Sequence, residues 1–263
     1  FSLNISGLNS LTSVGHLGLY GSNLSCSGLN GLKSMDYLSL YGDNITVSGF
    51  NGLSTLGGLS FYGVTLDASG FENLEYLNYL DVSIEHGVNG LNKLKSIDNL
   101  QLNIGNSDNF LLGLLSVENL YLYSYYDRTN GLVSLADLGL TSLQSIGGLS
   151  LELNSLESLD GFNFSNSNLQ YLHIYNSPKL TDITALATYT GSLNSLTIYL
   201  TALTSLEGFD NVTNISYLDI NNNTELNNWC AIKDIFDNIP VNQRYISNNL
   251  LNPASSDDIT GCN

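Results

Sequence analysis

The sequence predicts a β-solenoid that is poor in helix and built from short parallel strands. Three consecutive windows, residues 7–27, 28–48 and 49–69, align without a gap at a period of about 21 residues. Each window contains a central pair of apolar residues separated by one position, the pattern of a short strand with one buried face. The repeats contain no sustained helical stripe, so we expect turns, 3₁₀ pieces and short strands to close each coil.

The repeat continues to about Asn228 and amounts to about ten copies. One strand per repeat has no partner within its own repeat, so it must pair in parallel with the strands of its neighbours. A looser fourth copy begins at Gly70, and later copies begin near Gly90, Leu112, Gly139, Gly161, Ala185 and Gly208. The paired apolar residues, L-x-L or a close variant, are Leu17/Leu19, Leu38/Leu40, Leu59/Phe61, Leu80/Val82, Leu100/Leu102, Leu120/Leu122, Leu149/Leu151, Leu172/Ile174, Leu196/Ile198 and Leu218/Ile220.

Residues 229–263 differ from the repeats and predict a cap on a solenoid formed by residues 1–228. A solenoid needs its last open core covered, and a short helix in this segment is suited to that task. Asn227 or Asn228 is placed to cap the helix, and Pro240 ends it. The apolar residues that recur at helical spacing are Ile232, Ile235, Phe236 and Ile239.

The chain has three cysteines, and two of them lie in the predicted cap. We expect Cys230 and Cys262 to form a disulfide that closes a loop of about 30 residues and so places the protein in an oxidising compartment. Cys26 lies within a repeat and is expected to be a small buried thiol. A zinc site is the less favoured alternative, because the cysteines and histidines lack ligand spacing. Residues 243–247 predict a last strand.

These repeats resemble the leucine-rich repeat superfamily, in particular its irregular, helix-poor relatives among receptor L-domain-like and bacterial surface repeats. The resemblance covers nearly the whole chain, although Asn23 and Asn44 lie one position later than the Asn of the L-x-L-x-x-N consensus. The ending C-A-I-K-D-I-F…I-S-N-N…G-C-N resembles the cap of secreted leucine-rich repeat proteins of Bacteroidetes, which a sorting domain for type IX secretion often follows. The resemblance implies an extracellular or cell-surface location.

The charge balance excludes two classes of partner. Seven basic and 24 acidic residues give a formal net charge of −17, which repels the phosphates of nucleic acids and of anionic membranes. Residues 110–115 form the longest apolar run, which is far shorter than the roughly 18 residues that indicate a transmembrane helix. We therefore expect no nucleic-acid partner and no membrane insertion, and a chain that is monomeric or part of a longer one.

The sequence offers little support for catalysis. His16, His86 and His173 lie far apart, and neither G-x-S-x-G nor H-E-x-x-H occurs. Carboxylates on the predicted strand face, such as Asp81 and Asp219, are many repeats apart, whereas glycosidase pairs lie about 5–10 Å from each other. We predict that the chain is not an enzyme, and we expect neither a cofactor nor a metal site.

One predicted surface does indicate a function. If the L-x-L side chains point inward, the residues before, between and after them point outward from the sheet. About ten of the 16 tyrosines fall on this outward face. Exposed tyrosines supply stiff contact area with a hydrogen-bonding tip, although they also stabilise a sheet by stacking between strands. The predicted ligand-binding residues are Tyr20, Tyr37, Tyr41, Tyr62, Tyr79, Tyr121, Tyr123, His173, Tyr175 and Tyr199.

We predict a secreted or cell-surface recognition and adhesion module that binds a protein or a polysaccharide through this face. The alternative is a structural spacer or stalk without a specific ligand, in which the tyrosines only stabilise the sheet. A third and weaker alternative is the non-catalytic part of a hydrolase.

Overall fold

The computed structural model describes residues 1–103, 109–124, 132–140 and 142–262. The chain is a parallel β-solenoid of about ten turns with little helix, which confirms the predicted fold class. It divides into two compact units. Unit 1 comprises residues 1–118 and 137–143, and unit 2 comprises residues 119–136 and 144–263. Among the described residues, no helix is both long and apolar enough to cross a membrane.

Unit 1 is a stack of parallel strands. The main path runs β1-β3-β4-β5-β6-β8; β2 pairs with β4, and β7 pairs with β5 and β9. The strands are β1 (Ser2–Ile5), β2 (Ser13–Tyr20), β3 (Asn23–Cys26), β4 (Ser34–Val47), β5 (Thr55–Ala68), β6 (Tyr76–Ile84), β7 (Val88–Gly90), β8 (Ser96–Asn103) and β9 (Asn109–Phe110).

The register of unit 1 places the paired apolar residues of successive repeats side by side. Leu38 lies opposite Leu59, and Leu40 lies opposite Phe61, all fully buried. Strands β4 and β5 are 14 residues long, longer than the short strands predicted from L-x-L. Gly63, within β5, leaves room for the coil before it: a Cβ there would lie 1.8 Å from the carbonyl oxygen of Gly42.

A second column of glycines keeps successive coils of unit 1 in backbone contact. A Cβ on Gly28 would lie 2.3 Å from the carbonyl carbon of Ser6, and one on Gly49 would lie 2.5 Å from that of Ser27. Glycine is required here for lack of space, because a side chain at either position would collide with main-chain atoms of the preceding coil. The 21-residue spacing of these glycines therefore follows from the spacing of the coils.

In unit 2 the parallel order is β11-β12-β14-β16-β17, and β13 pairs separately with β15. Among the described residues, the 3₁₀ helices are Leu135–Leu138, Phe164–Asn166, Thr184–Thr188, Cys230–Ile232, Val241–Gln243 and Ser256–Asp258, and the α-helix is α1 (Lys233–Phe236). The remaining strands are β10 (Ser116–Tyr123), β11 (Ser145–Glu152), β12 (Tyr171–Ser177), β13 (Ser192–Leu193), β14 (Ser195–Thr201), β15 (Asn214–Ile215), β16 (Leu218–Asn221) and β17 (Arg244–Ser247).

The C-terminal segment contains the predicted helix, strand and disulfide. The helix is one 3₁₀ turn followed by one α-turn and ends before Pro240, and the Oδ1 of Asn228 accepts from the backbone N–H of Cys230 at 3.0 Å. Cys230 is bonded to Cys262 across 32 residues, which confirms the predicted disulfide. Cys26 is a buried free thiol, as predicted.

Strand β17 pairs in parallel with β16, so the stacking continues into this segment. Arg244 occupies the inward position opposite Leu218. Its guanidinium carbon lies 4.9 Å from the centroid of the buried Phe236 ring, and its Nη1 donates to the carbonyl oxygen of Ala254 at 3.1 Å. The inward side chain of β17 is thus an arginine that packs on the Phe236 ring.

Unit 2 also contains a buried ladder of polar side chains. The Oδ1 of Asn223, which is fully buried, accepts from the backbone N–H of Thr201 at 3.0 Å. Its Nδ2 donates to the carbonyl oxygen of Ile198 at 3.1 Å, and Asn249 repeats the pattern by donating to that of Ile220 at 2.8 Å. These bonds satisfy backbone groups within β14 and β16.

Asn223 and Asn249 occupy the Asn position of L-x-L-x-x-N, with Ser177 and Thr201 in the same column. The late asparagines of unit 1 form a different ladder, on the surface. There the Nδ2 of Asn44 donates to the Oδ1 of Asn23 at 2.9 Å.

Candidate functional site

The tyrosines of β2, β4 and β5 form a stacked ladder in unit 1. Tyr20, Tyr41 and Tyr62 are register partners on neighbouring strands. Their ring centroids are 4.8 Å apart in both pairs, and the planes lie within 6° and 8° of parallel. Tyr20 is 60% exposed and the other two rings are half-buried. Strand spacing sets this distance, so the ladder is a direct product of the 21-residue repeat.

A buried carboxylate lies beside the ladder. Asp81 is only 5% exposed, and its Oδ2 accepts from the hydroxyl of Tyr62 and, at 3.3 Å, from that of Tyr79. The hydroxyl of Tyr79 also donates to the Oε1 of Gln101 at 3.0 Å. Burial and the neighbouring carboxylate of Asp81 raise the pKa of Tyr79 to about 12. For the same two reasons the pKa of Tyr62 is raised well above its ordinary value. Both phenols therefore remain donors at neutral pH.

Tyr37 lies flat on this surface because its neighbour has no side chain. A Cβ on Gly58 would lie 2.4 Å from the Tyr37 ring, so only glycine leaves room for it. The ring reaches across to share a 2.5 Å hydrogen bond between its hydroxyl and that of Ser60. Its centroid is 6.3 Å from that of Tyr79. Of the predicted residues, the structure thus brings Tyr20, Tyr37, Tyr41, Tyr62 and Tyr79 together in unit 1.

A second aromatic cluster lies in unit 2, around His173. The His173 ring is 4.8 Å from the Tyr171 ring and 5.9 Å from the Tyr175 ring, and its Nε2 is 3.0 Å from the hydroxyl of Ser195. Burial lowers the pKa of His173, although Asp219 acts in the opposite direction. The imidazole is therefore uncharged at neutral pH.

Tyr121 joins this cluster through Tyr171, the two ring centroids being 6.5 Å apart. The hydroxyl of Tyr171 donates to the Oδ1 of Asn119 at 3.0 Å. A Cβ on Gly148 would lie 2.3 Å from the Tyr171 ring, the same glycine-and-tyrosine arrangement that unit 1 shows. Tyr123, on the same strand as Tyr121, is partly buried.

The end of the unit 2 sheet forms an open groove of about 760 Å³. In register, Thr197, Asp219 and Tyr245 lie side by side on β14, β16 and β17. In the adjacent column, Tyr175 and Tyr199 are followed by the smaller side chains of Asn221 and Ser247. The residues that line the groove are Tyr175, Thr197, Tyr199, Asp219, Asn221, Asn222, Arg244, Tyr245, Ile246 and Ser247.

Asp219 lies between Thr197 and Tyr245 in the lining of the groove. It accepts from the amide of Asn221 and, at 3.5 Å, from the hydroxyl of Tyr217. Burial raises the pKa of Asp219, while these hydrogen bonds lower it. The Oδ1 of Asn221 accepts in turn from the hydroxyl of Ser247 at 2.6 Å.

The sequence prediction missed the residues that complete the groove. Tyr175 and Tyr199 were predicted, whereas Asn221 and Tyr245 were not among the predicted ligand-binding residues. Tyr245 was recoverable, because the predicted strand at residues 243–247 continues the outward columns by one strand. The part of the chain that the structure describes contains no group of three or more His, Cys, Asp or Glu side chains placed to bind a metal.

The chain matches no protein-family model. It also matches no curated protein and no solved structure.

Proposed function

We propose that the chain is a secreted or cell-surface recognition module that binds a macromolecular ligand, a protein or a polysaccharide, through its tyrosine-bearing strands. The observation that supports this most is the repeated presentation of tyrosine at register-matched outward positions, as in Tyr20, Tyr41 and Tyr62. Tyrosine provides large contact area at low cost in side-chain entropy and keeps a polar tip. A repeated platform suits a ligand that itself repeats or is extended.

Two further observations support this assignment. The disulfide between Cys230 and Cys262 fits an oxidising compartment, as in secreted proteins. The buried ladder of Asn223 and Asn249 occupies the consensus Asn position of leucine-rich repeats, which supports the resemblance to that superfamily. We assign the chain no catalytic role.

A structural spacer is the second candidate, and the stacking geometry favours it for part of the surface. The Tyr41 ring lies between the Tyr20 and Tyr62 rings, so both of its faces are covered. The Tyr62 hydroxyl is committed to the buried Asp81. These contacts stabilise the sheet whether or not a ligand binds.

Binding of the intact chain to arrays of immobilised glycans and to whole cells tests the proposal. The informative variants are Tyr20→Ala and Tyr41→Ala in unit 1 and Tyr199→Ala in unit 2. Tyr76→Ala is the matched control, since Tyr76 is 46% exposed and lies at the start of β6, outside the predicted outward columns. We expect at least one of the three to reduce binding by about tenfold or more while the control does not. A loss of thermal stability with unchanged binding in all three variants would establish the spacer instead.

A further inference from the structure

The tyrosines of the two units differ in how much ring face they leave for a ligand. In unit 1 each ladder ring is stacked on the next at 4.8 Å, close to van der Waals contact. Tyr175 and Tyr199 are also register partners, yet within the described residues their rings do not stack on each other. The Tyr175 ring is inclined by 62° to the His173 ring, and the Tyr245 ring is inclined by 38° to the Tyr217 ring. The groove tyrosines therefore keep faces that a flat ligand can cover.

The chemistry of the groove is that of a hydrogen-bonding site. Apart from Ile246, every side chain that lines it carries a hydrogen-bonding group. Asp219 and Asn221 supply acceptors and an amide, and Tyr199 and Tyr245 supply rings with hydroxyl tips. A protein-binding hot spot instead centres on an apolar pocket that buries an aromatic or aliphatic anchor.

The charge of the groove excludes an acidic ligand. Asp219 places a carboxylate in its lining, and the chain as a whole carries a formal net charge of −17. Arg244 is the one cation in the lining, but its side chain is only 10% exposed, and it contacts Phe236, Asp237 and the carbonyl of Ala254. The neighbouring His173 is uncharged at neutral pH because burial lowers its pKa. Nothing in the lining offers an exposed positive charge to a sulfate, phosphate or uronate.

We infer that this groove, with Tyr175, Tyr199 and Tyr245 around Asp219 and Asn221, binds a neutral polysaccharide. The inference depends on the proposed recognition function and assigns it a ligand class and a place. Sugar rings present one apolar face and a rim of hydroxyls. The free tyrosine faces pack on the apolar face of the sugar, and Asp219 and Asn221 form hydrogen bonds with its hydroxyls. Four strands, β12, β14, β16 and β17, span about 14 Å at about 4.8 Å per step, which suits several sugar units of an extended chain.

Titration calorimetry with the intact chain tests the inference. The probes are neutral oligosaccharides of glucose, mannose, galactose and xylose, with oligogalacturonate as the acidic probe and a chitosan oligomer as the cationic one. We expect at least one neutral oligosaccharide to bind and the acidic probe not to bind. Asp219→Asn and Tyr199→Ala should each weaken that binding by about tenfold or more. Asp234→Asn, an exposed carboxylate on α1, and Tyr76→Ala are the matched controls and should leave the affinity unchanged.

Two further variants keep the test decisive if Tyr199→Ala unfolds. Tyr199→Phe keeps the ring, so it should retain most of the affinity if stacking on the sugar is the main contact. Ser247→Trp adds bulk at an exposed position of β17 without removing an aromatic contact, and should block the groove. Thermal unfolding of each variant separates loss of fold from loss of ligand.

The outcomes distinguish the groove from the general function. Neutral glycan binding that is lost in ladder variants such as Tyr20→Ala but kept in groove variants overturns the inference and leaves the recognition function intact. Binding only to a protein, or only to the chitosan oligomer, overturns the ligand class and not the recognition function. Absence of binding to every glycan and every cell tested overturns both.

Discussion

The buried ladder in unit 2 should contribute far more to stability than the surface ladder in unit 1. Asn223→Ala removes the acceptor for the backbone N–H of Thr201 and a donor to the carbonyl of Ile198, at a site with no exposed side-chain surface. Each orphaned buried polar group costs about 1–3 kcal/mol, so two predict a loss of about 2–6 kcal/mol. That is a large fraction of the roughly 5–15 kcal/mol that stabilises a typical domain.

Asn44→Ala is the matched control in unit 1. Asn44 makes two side-chain hydrogen bonds, to Asn23 and from Thr65, each of 2.9 Å, but it is exposed and water replaces them. We expect a loss of about 0–1 kcal/mol. Asn223→Asp keeps the acceptor and loses the donors, so it should also be strongly destabilising.

Urea titration compares the variants. Circular dichroism reports the whole chain, and the fluorescence of Trp229, the single tryptophan and fully buried, reports the end of unit 2. The midpoint seen by Trp229 should fall markedly in Asn223→Ala and not in Asn44→Ala. Equal shifts in both variants would refute the reasoning that burial decides the value of the ladder.

Four other predictions concern single groups. Replacing Cys230 and Cys262 together by serine should cost about 3–4 kcal/mol in urea unfolding, since the bond closes a loop across 32 residues. Burial raises the pKa of Cys26 to about 11, so a thiol reagent at neutral pH should label it only after denaturation. Tyr189→Phe should cost about 1–3 kcal/mol in the same urea titration, because its buried hydroxyl donates to the carbonyl oxygen of Ser192 at 2.8 Å and lies 3.2 Å from that of Leu169. Hydrogen bonds from the side chain and backbone of Ser256 lower the pKa of Asp237 below 3.8. Their stabilising effect is therefore complete above pH 3.8 and is lost as the pH falls through the lowered pKa. The melting temperature of Asp237→Asn should lack this part of the fall at acidic pH.

The solenoid was predictable because both the strand pattern and the repeat interval are visible in the sequence. Pairs such as Leu38/Leu40 and Leu59/Phe61 alternate at period 2 and recur at a fixed interval, and a repeat with one such strand per copy is the pattern of a parallel stack. The full length of β4 and β5 was not predicted, because alternation does not encode the close backbone approach of Gly42 and Gly63 within these strands. The helix at Cys230–Phe236 was predicted in place, but its periodicity suggested a longer one.

The candidate site was less predictable than the fold. The outward columns assigned the tyrosines to strands, but ring stacking depends on side-chain rotamers, so the sequence did not distinguish the closed ladder at Tyr41 from the open rings at Tyr199. Asp81 was predicted on the outward face, whereas it is almost fully buried, because the neighbouring tyrosines Tyr62 and Tyr79 lean over it. Side chains on neighbouring strands bury Asp81 in this way, and the alternation of residues along a single strand does not predict it.

The glycine columns that hold adjacent coils at backbone distance have an evolutionary consequence. Gly28 and Gly49 occupy equivalent positions and contact equivalent backbone of the coil before them. Removal of residues 28–48 would join Ser27 to Gly49 and recreate the junction that already exists between Ser27 and Gly28. Unequal recombination at these positions can therefore lengthen or shorten the chain by whole coils while it keeps equivalent glycine contacts at the junction. The platform can thus change its reach through recombination alone, without selection for a new fold.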